Sequence, residues 1–274
     1  MDNMQELVKE TAAFLKEKGV VNPRVGVVLG TGLNALADQI NVTHRLSYVD
    51  IPHFPQSTVS FHKGQLLFGN IGSVPVVAMQ GRFHYYEGYS MQEITFPIRV
   101  MKELGIDTLL LSNAAGGMNP AYRKGDLIIV DDHINLLPDN PLRGLGDAFG
   151  NRFTDMSQPY TRHLQLLLQQ AFEMESVAVH IGTYVAVMGP NLETRAEYRW
   201  LRSTGADMVG MSTVPEVIVA NQSGIACAAV SVITDECDPQ HLKPINIEEI
   251  IRIAGEADLK LAQILKRTIL ALPV

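Results

Sequence analysis

The chain has 274 residues, 46% of them hydrophobic, so it is long enough to bury the core of one large α/β domain. A net charge of −7 argues against a protein that binds the phosphate backbone of nucleic acid, and two cysteines are too few for a disulfide scaffold. No apolar run approaches the roughly 18 residues of a membrane span and no signal peptide is visible, so we expect a cytoplasmic protein.

Short apolar strands alternate with helical patterns along the whole chain. The patterns predict strands at 25–29, 66–69, 74–79, 108–111, 127–130, 183–187, 208–211 and 224–233. Helices are predicted to begin near Ser90, Thr194, Pro215 and Asn246, and another is predicted at 161–175. We therefore expect a mixed central sheet flanked by helices, in one α/β domain that spans residues 1–274.

Two segments depart from this alternation. Pro97 lies inside the helix that a capping box at Ser90 and Glu93 opens, so we expect a kink or a later helix start. Residues 137–160 are rich in Pro, Gly, Asn and Asp, which predicts a long loop. Loops of this length inside a compact domain are usually functional or lie at an interface.

The sequence GTGLNA at residues 30–35 follows the first strand and opens a helix. It matches the glycine pattern of dinucleotide-binding proteins, and Asp50 lies about 20 residues further on. A hairpin follows instead of a second β-α-β crossover, which weakens that interpretation. A turn that binds a phosphate group through Thr31 and backbone N–H groups, or a turn without a ligand, both remain open.

The sequence QGRFHYYEGY at residues 80–89 follows the second strand of the hairpin. Arg82 and His84 are two residues apart, so an extended segment would point both side chains to the same side. Arginine binds oxyanions through paired N–H groups, histidine adds a donor, and Glu87 could orient His84. A solvated loop with packed tyrosines is the alternative.

Three further loops follow strands or precede helices. The small residues of SNAAGGMNP at 112–120 would let backbone N–H groups approach an anion or a flat ring, or would form an ordinary turn. Glu193 precedes a capped helix, where an acid could serve a ligand or only complement the helix dipole. Ser212 could likewise cap a helix or bind an anion.

An acid closes the apolar strand at 224–233, since SVITDECD places Asp235 at its exit. The carboxyl end of a buried strand is where α/β proteins place ligands. Cys227 lies within the strand and is expected to be a core residue. The histidines, including His62 and His133, lack metal-ligand spacing, and no nucleophile motif of acyl-enzyme hydrolases is present. Anion ligands, aromatic walls and carboxylates without a nucleophile indicate a site where a bound anion is itself the nucleophile.

Together these motifs resemble the purine nucleoside phosphorylases of the trimeric, low-molecular-mass type. The resemblance runs from about residue 20 to 270 and is carried in order by GTGLN, IPHFPQSTV, GRFHYYEGY, TFPIRV, SNAAGGMNP, DHINL, NPLRG, GPNLET, GADMVGMSTVPEVIVA and SVIT. It implies reversible phosphorolysis, in which a purine nucleoside and phosphate give the free base and ribose 1-phosphate. It also replaces the dinucleotide interpretation of the first turn.

The resemblance implies a role for each matching residue. Phosphate would contact Thr31, His62, Arg82, His84, Ser212 and the backbone N–H of Ala114. The sugar would lie against Tyr86 and Met211. The base would meet Ala114, Ala115, Gly116, Leu192, Glu193, Val209, Gly210 and Asp235. Catalysis would depend on His84, Glu193 and Asp235. Phe153 would close the ribose side of a neighbouring subunit's site, which implies a homotrimer. No metal or organic cofactor is expected, because phosphate is a co-substrate.

The sequence departs from the family pattern at four positions. Thr31 stands where the family usually has serine, and Phe61 precedes His62 in place of glycine. Asp235 stands where the 6-oxopurine enzymes usually carry asparagine, and the related methylthioadenosine phosphorylases have aspartate. Ile247 replaces the histidine that meets the 5′-hydroxyl, so an apolar 5′-substituent would be tolerated.

These departures leave the preferred base open. Glu193 and GMSTVPEV favour 6-oxopurines, so inosine and guanosine, with their deoxy forms, are the expected substrates. Phosphorolysis of adenosine or 5′-methylthioadenosine, or a broadened base specificity, is the alternative that Asp235 and Ile247 suggest. A purine-binding protein without catalytic activity is disfavoured by the intact Arg82, His84 and Glu193.

Overall fold

The architecture, seen in a computed structural model of the chain, is a mixed β-sheet with helices on both faces. The structure describes residues 2–20, 22–58, 63–242, 244 and 246–273. Within these residues the strands are β1 (Val25–Leu29), β2 (Asn41–Ser47), β3 (Gln65–Ile71), β4 (Val74–Gln80), β5 (Thr108–Gly117), β6 (Leu127–Asn135), β7 (His180–Ala186), β8 (Met208–Gly210) and β9 (Ala226–Glu236). The helices are α1 (Asp2–Glu17), α2 (Met91–Leu104), α3 (Arg162–Met174), α4 (Arg195–Ser203), α5 (Val214–Gln222) and α6 (Ile247–Leu270).

The sheet is open at one end and closed on itself at the other. The strand order is β2-β3-β4-β1-β5-β8-β7-β6-β9, and β5 also pairs with β9. On one edge, β5 pairs with β1 as far as Leu111 and with β8 from Gly116 onward. Among the described residues, no strand pairs with that edge between these two points. This gap leaves the middle of β5 facing a cleft.

The core lies on both faces of the sheet, which explains why the central strands read as continuous apolar runs. In β1, Val28 joins a cluster formed with α1, α2 and α5. Val27 and Leu29 join a second cluster, formed with α3 and α6. All five residues of β1 are buried, so neither face of the strand can carry polar residues. Polar groups therefore occur where the central strands end.

The predicted mixed α/β fold is confirmed, and the predicted strands lie in β1 and β3 to β9. The sequence patterns do not predict α1 and β2. The side chains of β2 alternate between exposed and half-buried, and the strand pairs only with β3 at the edge of the sheet. An edge strand needs no apolar run, so the periodicity of the sequence gives little signal there.

The two unusual segments also have definite structures. Helix α2 starts directly after Ser90, whose hydroxyl accepts a hydrogen bond from the backbone N–H of Glu93, so the later start suggested by Pro97 is wrong. Residues 137–160 contain no helix and no strand, which confirms the predicted long loop. No helix in the described part of the chain is long and apolar enough to cross a membrane.

Candidate active site

A cleft of about 490 Å³ lies against the uncovered edge of β5. Its lining includes these predicted site residues: Thr31, Arg82, His84, Tyr86, Ala114, Ala115, Gly116, Leu192, Glu193, Val209, Gly210, Met211, Ser212, Asp235 and Ile247. The lining residues that were not predicted are Asn113, Pro190, Tyr198, Thr234 and Ile250. The cleft therefore joins motifs that lie more than two hundred residues apart in the chain, from Thr31 to Ile250.

Strand ends deliver most of these side chains to the cleft. Thr31 follows β1, Arg82 and His84 follow β4, and Ser212 follows β8. Asp235 lies at the end of β9. Each of these strands pairs with β5 or with a strand next to it, so the strand ends meet at one edge of the sheet. This placement agrees with the general position of ligand sites in α/β sheets.

The turn after β1 is shaped by close backbone packing. A Cβ atom on Gly30 would lie 2.6 Å from the backbone oxygen of Ser112, so only glycine fits there. The backbone N–H groups of Asn34 and Ala35 both donate to Oδ2 of Asp258, at 2.6 Å. Asp258 belongs to α6 and is buried. The helix thereby holds the turn that carries Thr31.

Arg82 is buried, with 2% of its side chain exposed, and is held on two sides. Its Nε donates to Oε1 of Glu216 at 3.0 Å, and its Nη1 donates to the backbone oxygen of Ser112 at 2.6 Å. Its Nη2 has no hydrogen-bond partner among the described residues. A buried N–H group without a partner costs free energy, so an anion oxygen at Nη2 would be stabilised.

His84 is oriented by the neighbouring Glu87. The His84 Nδ1 lies 2.9 Å from Oε1 of Glu87, and the other carboxylate oxygen accepts hydrogen bonds from the backbone N–H and hydroxyl of Thr58. Burial alone would raise the pKa of Glu87, but the hydrogen bonds from His84 and Thr58 outweigh it and lower this pKa to about 2. The ring of Tyr86 stacks on the imidazole, with centroids 4.7 Å apart.

The entry to α5 is a strained turn. Thr213 precedes the helix with φ = 70°, a left-handed conformation that costs a threonine about 1–3 kcal/mol. Its hydroxyl accepts a hydrogen bond from Nδ2 of Asn113 at 2.9 Å and lies 3.1 Å from Oγ of Ser212. The turn thus fixes Ser212 against β5, beside the N-terminus of a helix that favours negative charge.

Two carboxylates lie at the opposite end of the cleft. Asp235 accepts a hydrogen bond from Thr234 Oγ1 on Oδ1, at 3.0 Å, and one from the thiol of Cys237 on Oδ2, at 3.1 Å. Burial raises the pKa of Glu193, and the negative charge of Asp235 raises it further. Tyr198 lines the cleft together with these two carboxylates. The cleft is therefore cationic at one end and anionic at the other.

The third wall of the cleft comes from α6. Ile247 is the first residue of this helix, and 54% of its side chain is exposed. Ile250 lies one turn further on and also lines the cleft. Asn246 caps the helix by accepting a hydrogen bond from the backbone N–H of Glu248. This wall is apolar.

Two predicted site residues are not in the cleft as described. His62 lies outside the described residues, so its predicted contact with phosphate stays a prediction. Phe153, predicted to act on a neighbouring subunit, lies on the long loop, where 83% of its side chain is exposed. It lines a separate cavity of about 710 Å³ with His133, Arg143 and Met156. Within the described residues, no group of three or more His, Cys, Asp or Glu side chains could hold a metal ion.

Two kinds of residue line the cleft without having been predicted from the sequence. Asn113 and Thr234 belong to motifs that the sequence analysis singled out, so their places next to Ala114 and Asp235 could have indicated them. Tyr198 gave no such signal, because it is a buried residue on α4. Only the packing of that helix brings it to the cleft.

Comparisons with known proteins agree with this geometry. A family model described as the phosphorylase superfamily matches residues 24–270. The chain is 47% identical to purine nucleoside phosphorylase 1 of Bacillus subtilis (strain 168), over 91% of this chain and 93% of that protein. It is 42% identical to the purine nucleoside phosphorylase of Bos taurus, over 97% and 95% of the two chains.

Solved structures that resemble this chain are also purine nucleoside phosphorylases. The chain is similar to isoform 2 of purine nucleoside phosphorylase from Schistosoma mansoni, in complex with cytosine and ribose-1-phosphate, with a TM-score of 0.93 and 40% identity. That match covers 98% of this chain and 97% of the other. A schistosoma purine nucleoside phosphorylase in complex with hypoxanthine matches with a TM-score of 0.92 and 39% identity, over 98% of each chain.

Proposed function

The chain belongs to the phosphorylase superfamily, and we propose that it catalyses the reversible phosphorolysis of purine nucleosides. Inosine, guanosine and their deoxy forms react with phosphate to give the free base and (deoxy)ribose 1-phosphate, a reaction of purine salvage. The enzyme is a purine nucleoside phosphorylase and therefore a pentosyltransferase. The observation that supports the proposal is a single cleft lined by Arg82, His84 and Ser212 and also by the carboxylates of Glu193 and Asp235.

Phosphate binds at the cationic end of the cleft in this proposal. Arg82 supplies the free Nη2, and His84 and Ser212 line the same end. The remaining ligands are Thr31, the backbone N–H of Ala114, and His62. Buried charge-assisted hydrogen bonds of this kind hold an anion strongly and fix its orientation.

The nucleoside lies across the uncovered edge of β5. Its ribose contacts Tyr86 and Met211, and its 5′-group faces Ile247. Its base is bounded by the residues Ala115, Gly116, Leu192, Glu193, Val209, Gly210 and Asp235. Small residues of β5 let the flat purine ring approach the backbone closely.

The chemistry follows from the charge at the two ends. As the glycosidic bond breaks, positive charge grows on the ribose, as in the transition states of glycosidases. Phosphate held by Arg82 stabilises this charge and then attacks the anomeric carbon. His84, oriented by Glu87, stays on the phosphate during the attack. Phosphate is thus both the electrostatic partner and the nucleophile.

Negative charge grows at the same time on the departing purine. Glu193 accepts a hydrogen bond from N1–H of a 6-oxopurine and can accept a second from the 2-amino group of guanine. Asp235 lies at the other side of the ring and, when protonated, donates to N7, which neutralises the leaving base. This proposal requires no metal or organic cofactor, so chelation and extensive dialysis should leave the activity unchanged.

We further propose that the enzyme is a cytoplasmic homotrimer. The long loop exposes Phe153, and Ile247, which the proposal places at the 5′-group of the ribose, is 54% exposed. Phe153 of one subunit closes the ribose side of the next subunit's cleft, so the site is complete only in the trimer. Light scattering should give three times the monomer mass of 30.1 kDa. A monomer with full activity would contradict the trimer, and activity retained in Phe153→Ala would contradict the closure.

The decisive experiment measures base release from inosine, guanosine, adenosine and 5′-methylthioadenosine, each with and without phosphate. Phosphate-dependent release from inosine and guanosine is the expected result. Release from adenosine or methylthioadenosine only would replace the proposal by a 6-aminopurine phosphorylase. Purine binding without any phosphate-dependent release would make the chain a binding protein.

A further inference from the structure

Cys237 lies behind the base end of the cleft, in contact with Asp235. Cys237 follows the last residue of β9, and 4% of its surface is exposed. Its Sγ donates to Oδ2 of Asp235 at 3.1 Å, and its backbone N–H donates to the oxygen of Gly117 at 2.8 Å. The other carboxylate oxygen, Oδ1, accepts from Thr234. Both oxygens of Asp235 therefore have a protein donor.

The thiol of Cys237 is suited to be a donor and not a nucleophile. Burial raises its pKa, and the nearby charge of Asp235 raises it further. The sulfur therefore keeps its proton at neutral pH, and the S–H bond is available for the carboxylate. Tyr198 lines the cleft together with Glu193 and Asp235, and it lines a neighbouring cavity together with Asp235 and Cys237.

The backbone of β5 passes close to this pair. A Cβ atom on Gly116 would lie 2.6 Å from Sγ of Cys237 and 3.1 Å from Oδ2 of Asp235. On another side, both residues line a cavity of about 550 Å³ next to the cleft. If Cys237 lost its S–H group, Oδ2 would lose a donor that the chain holds in one direction, whereas water in this cavity has no fixed direction.

We propose that Cys237 is a positioning residue of the base subsite. Its thiol donates to Asp235 and, together with Thr234, fixes the direction in which that carboxyl group meets the purine. The proposal rests on the proposed function, because that function supplies the purine that Asp235 meets. It gives the cysteine a role in base recognition without any contact between sulfur and substrate.

The second cysteine provides a matched control. Cys227 is also buried, and its Sγ donates to the backbone oxygen of Pro159 at 3.2 Å. It lies in the first part of β9 and does not line the cleft. Replacing Cys227 removes a buried thiol hydrogen bond to a backbone oxygen and leaves Asp235 untouched, so it reports the structural cost of losing a buried thiol.

The test compares Cys237→Ala, Cys237→Ser and Cys227→Ala with the wild-type enzyme. We expect Cys237→Ala to lower kcat/KM for inosine about three- to tenfold, the loss of one hydrogen bond from a weak thiol donor, while the KM for phosphate stays unchanged. Cys237→Ser keeps a donor and should recover most of the loss. Cys227→Ala should match the wild type in both constants. Unchanged inosine kinetics in Cys237→Ala would overturn the proposal.

Infrared spectroscopy gives an independent reading in the wild-type enzyme. The S–H stretching bands of the two cysteines can be assigned from the two alanine variants. Hypoxanthine should shift the band of Cys237, because the base meets the carboxylate that accepts its hydrogen bond, and should leave the band of Cys227 in place. A Cys237 band that does not respond to saturating hypoxanthine would contradict the proposal, even if the alanine variant were unstable.

The two proposals fail in different ways. A wild-type enzyme without phosphate-dependent base release would refute the proposed function, whatever the cysteine variants do. If the wild type is active, but Cys237→Ala leaves the inosine kinetics unchanged and hypoxanthine leaves the Cys237 band in place, only the positioning role is refuted. An inactive wild type whose Cys237 band responds to hypoxanthine would keep the positioning role for a purine-binding site.

Discussion

The two ends of the cleft are built differently. At the phosphate end, Arg82, His84 and Ser212 are 2%, 6% and 8% exposed, and buried hydrogen bonds hold each of them. At the base end, Glu193 is half-buried, and Leu192 is exposed. The side chains of the first end are therefore held by contacts within the protein itself. The second carries its two carboxylates on a loop after β7 and at the last residues of β9.

This difference suits the two ligands. Phosphate is the same in every reaction, so its ligands gain from being fixed in advance by backbone and buried side chains. Purines differ at their 2- and 6-positions, so their ligands are side chains whose protonation and hydrogen bonding can differ. Changes at the phosphate end should therefore cost most, and changes at the base end should alter selectivity.

Arg82→Ala should have the largest effect. It removes a phosphate ligand and leaves Glu216, 3% exposed, as an unpaired buried charge. We expect kcat/KM for phosphate to fall about 100- to 1,000-fold, and the free energy of unfolding to fall by about 3–5 kcal/mol. Phosphate saturation kinetics and thermal melting measure the two effects.

A double variant separates binding from stability at this position. Arg82→Met combined with Glu216→Gln removes both charges and keeps similar volumes, so most of the stability should return. The defect toward phosphate should remain. Recovery of phosphate affinity along with stability would show that Arg82 only supports the fold.

Glu193→Gln should have the next largest effect, confined to the base. We expect kcat/KM for inosine to fall about ten- to 100-fold, while the phosphate KM stays unchanged. Only the ionised carboxylate accepts from N1–H without also donating. Burial raises the pKa of Glu193, and the charge of Asp235 raises it further. As the pH falls, Glu193 therefore takes up a proton at a higher pH than an ordinary glutamate does. Wild-type activity should decline at that higher pH.

The glutamine variant cannot titrate, so its acid limb should disappear. The measurement is kcat/KM for inosine against pH in both enzymes. If the limb persists in Glu193→Gln, another group titrates at the base end, and the assignment of Glu193 as the acceptor for N1–H is wrong.

Asp235→Asn should change activity on inosine by less than about tenfold, because the amide has the same shape and always carries N–H donors. The measurement is kcat/KM for inosine in both enzymes under the same conditions. An inactive variant would show that a fixed N–H donor cannot take the place of Asp235, and would contradict its role as a donor to N7.

Asp258→Ala should have the smallest effect on activity. Asp258 does not line the cleft and acts on the proposed phosphate ligands only through the turn after β1. It removes the acceptor of two backbone N–H groups in the turn that carries Thr31. We expect the KM for phosphate to rise about two- to fivefold, with kcat for inosine nearly unchanged. Asp258→Asn keeps an acceptor and serves as the control. Equal phosphate KM values in the two variants would show that the turn does not depend on this contact.

Much of the fold and of the cleft could be predicted because both depend on local patterns. Buried strands such as β1 and β9 are apolar runs in the sequence. Polar groups of the cleft follow such runs, since Arg82 comes after β4 and Asp235 lies at the end of β9. Strand β2 was not predicted because it is an edge strand with half-exposed side chains, whereas α1 has an amphipathic pattern that the prediction did not use. Both elements are stabilised by packing against neighbouring elements, and the local sequence does not show which elements these are.

The sequence by itself determined the chemical groups available and their places after strands: a guanidinium, imidazoles, small residues and carboxylates in a fixed order along the chain. The tertiary structure alone decided which groups share an environment. Glu216 lies 134 residues from Arg82, and Asp258 lies 224 residues from Asn34, yet both pairs are in hydrogen-bond contact. Sequence patterns report a residue's local geometry, whereas charge pairing, burial and the pKa of Glu193 depend on neighbours that only the closed sheet brings together.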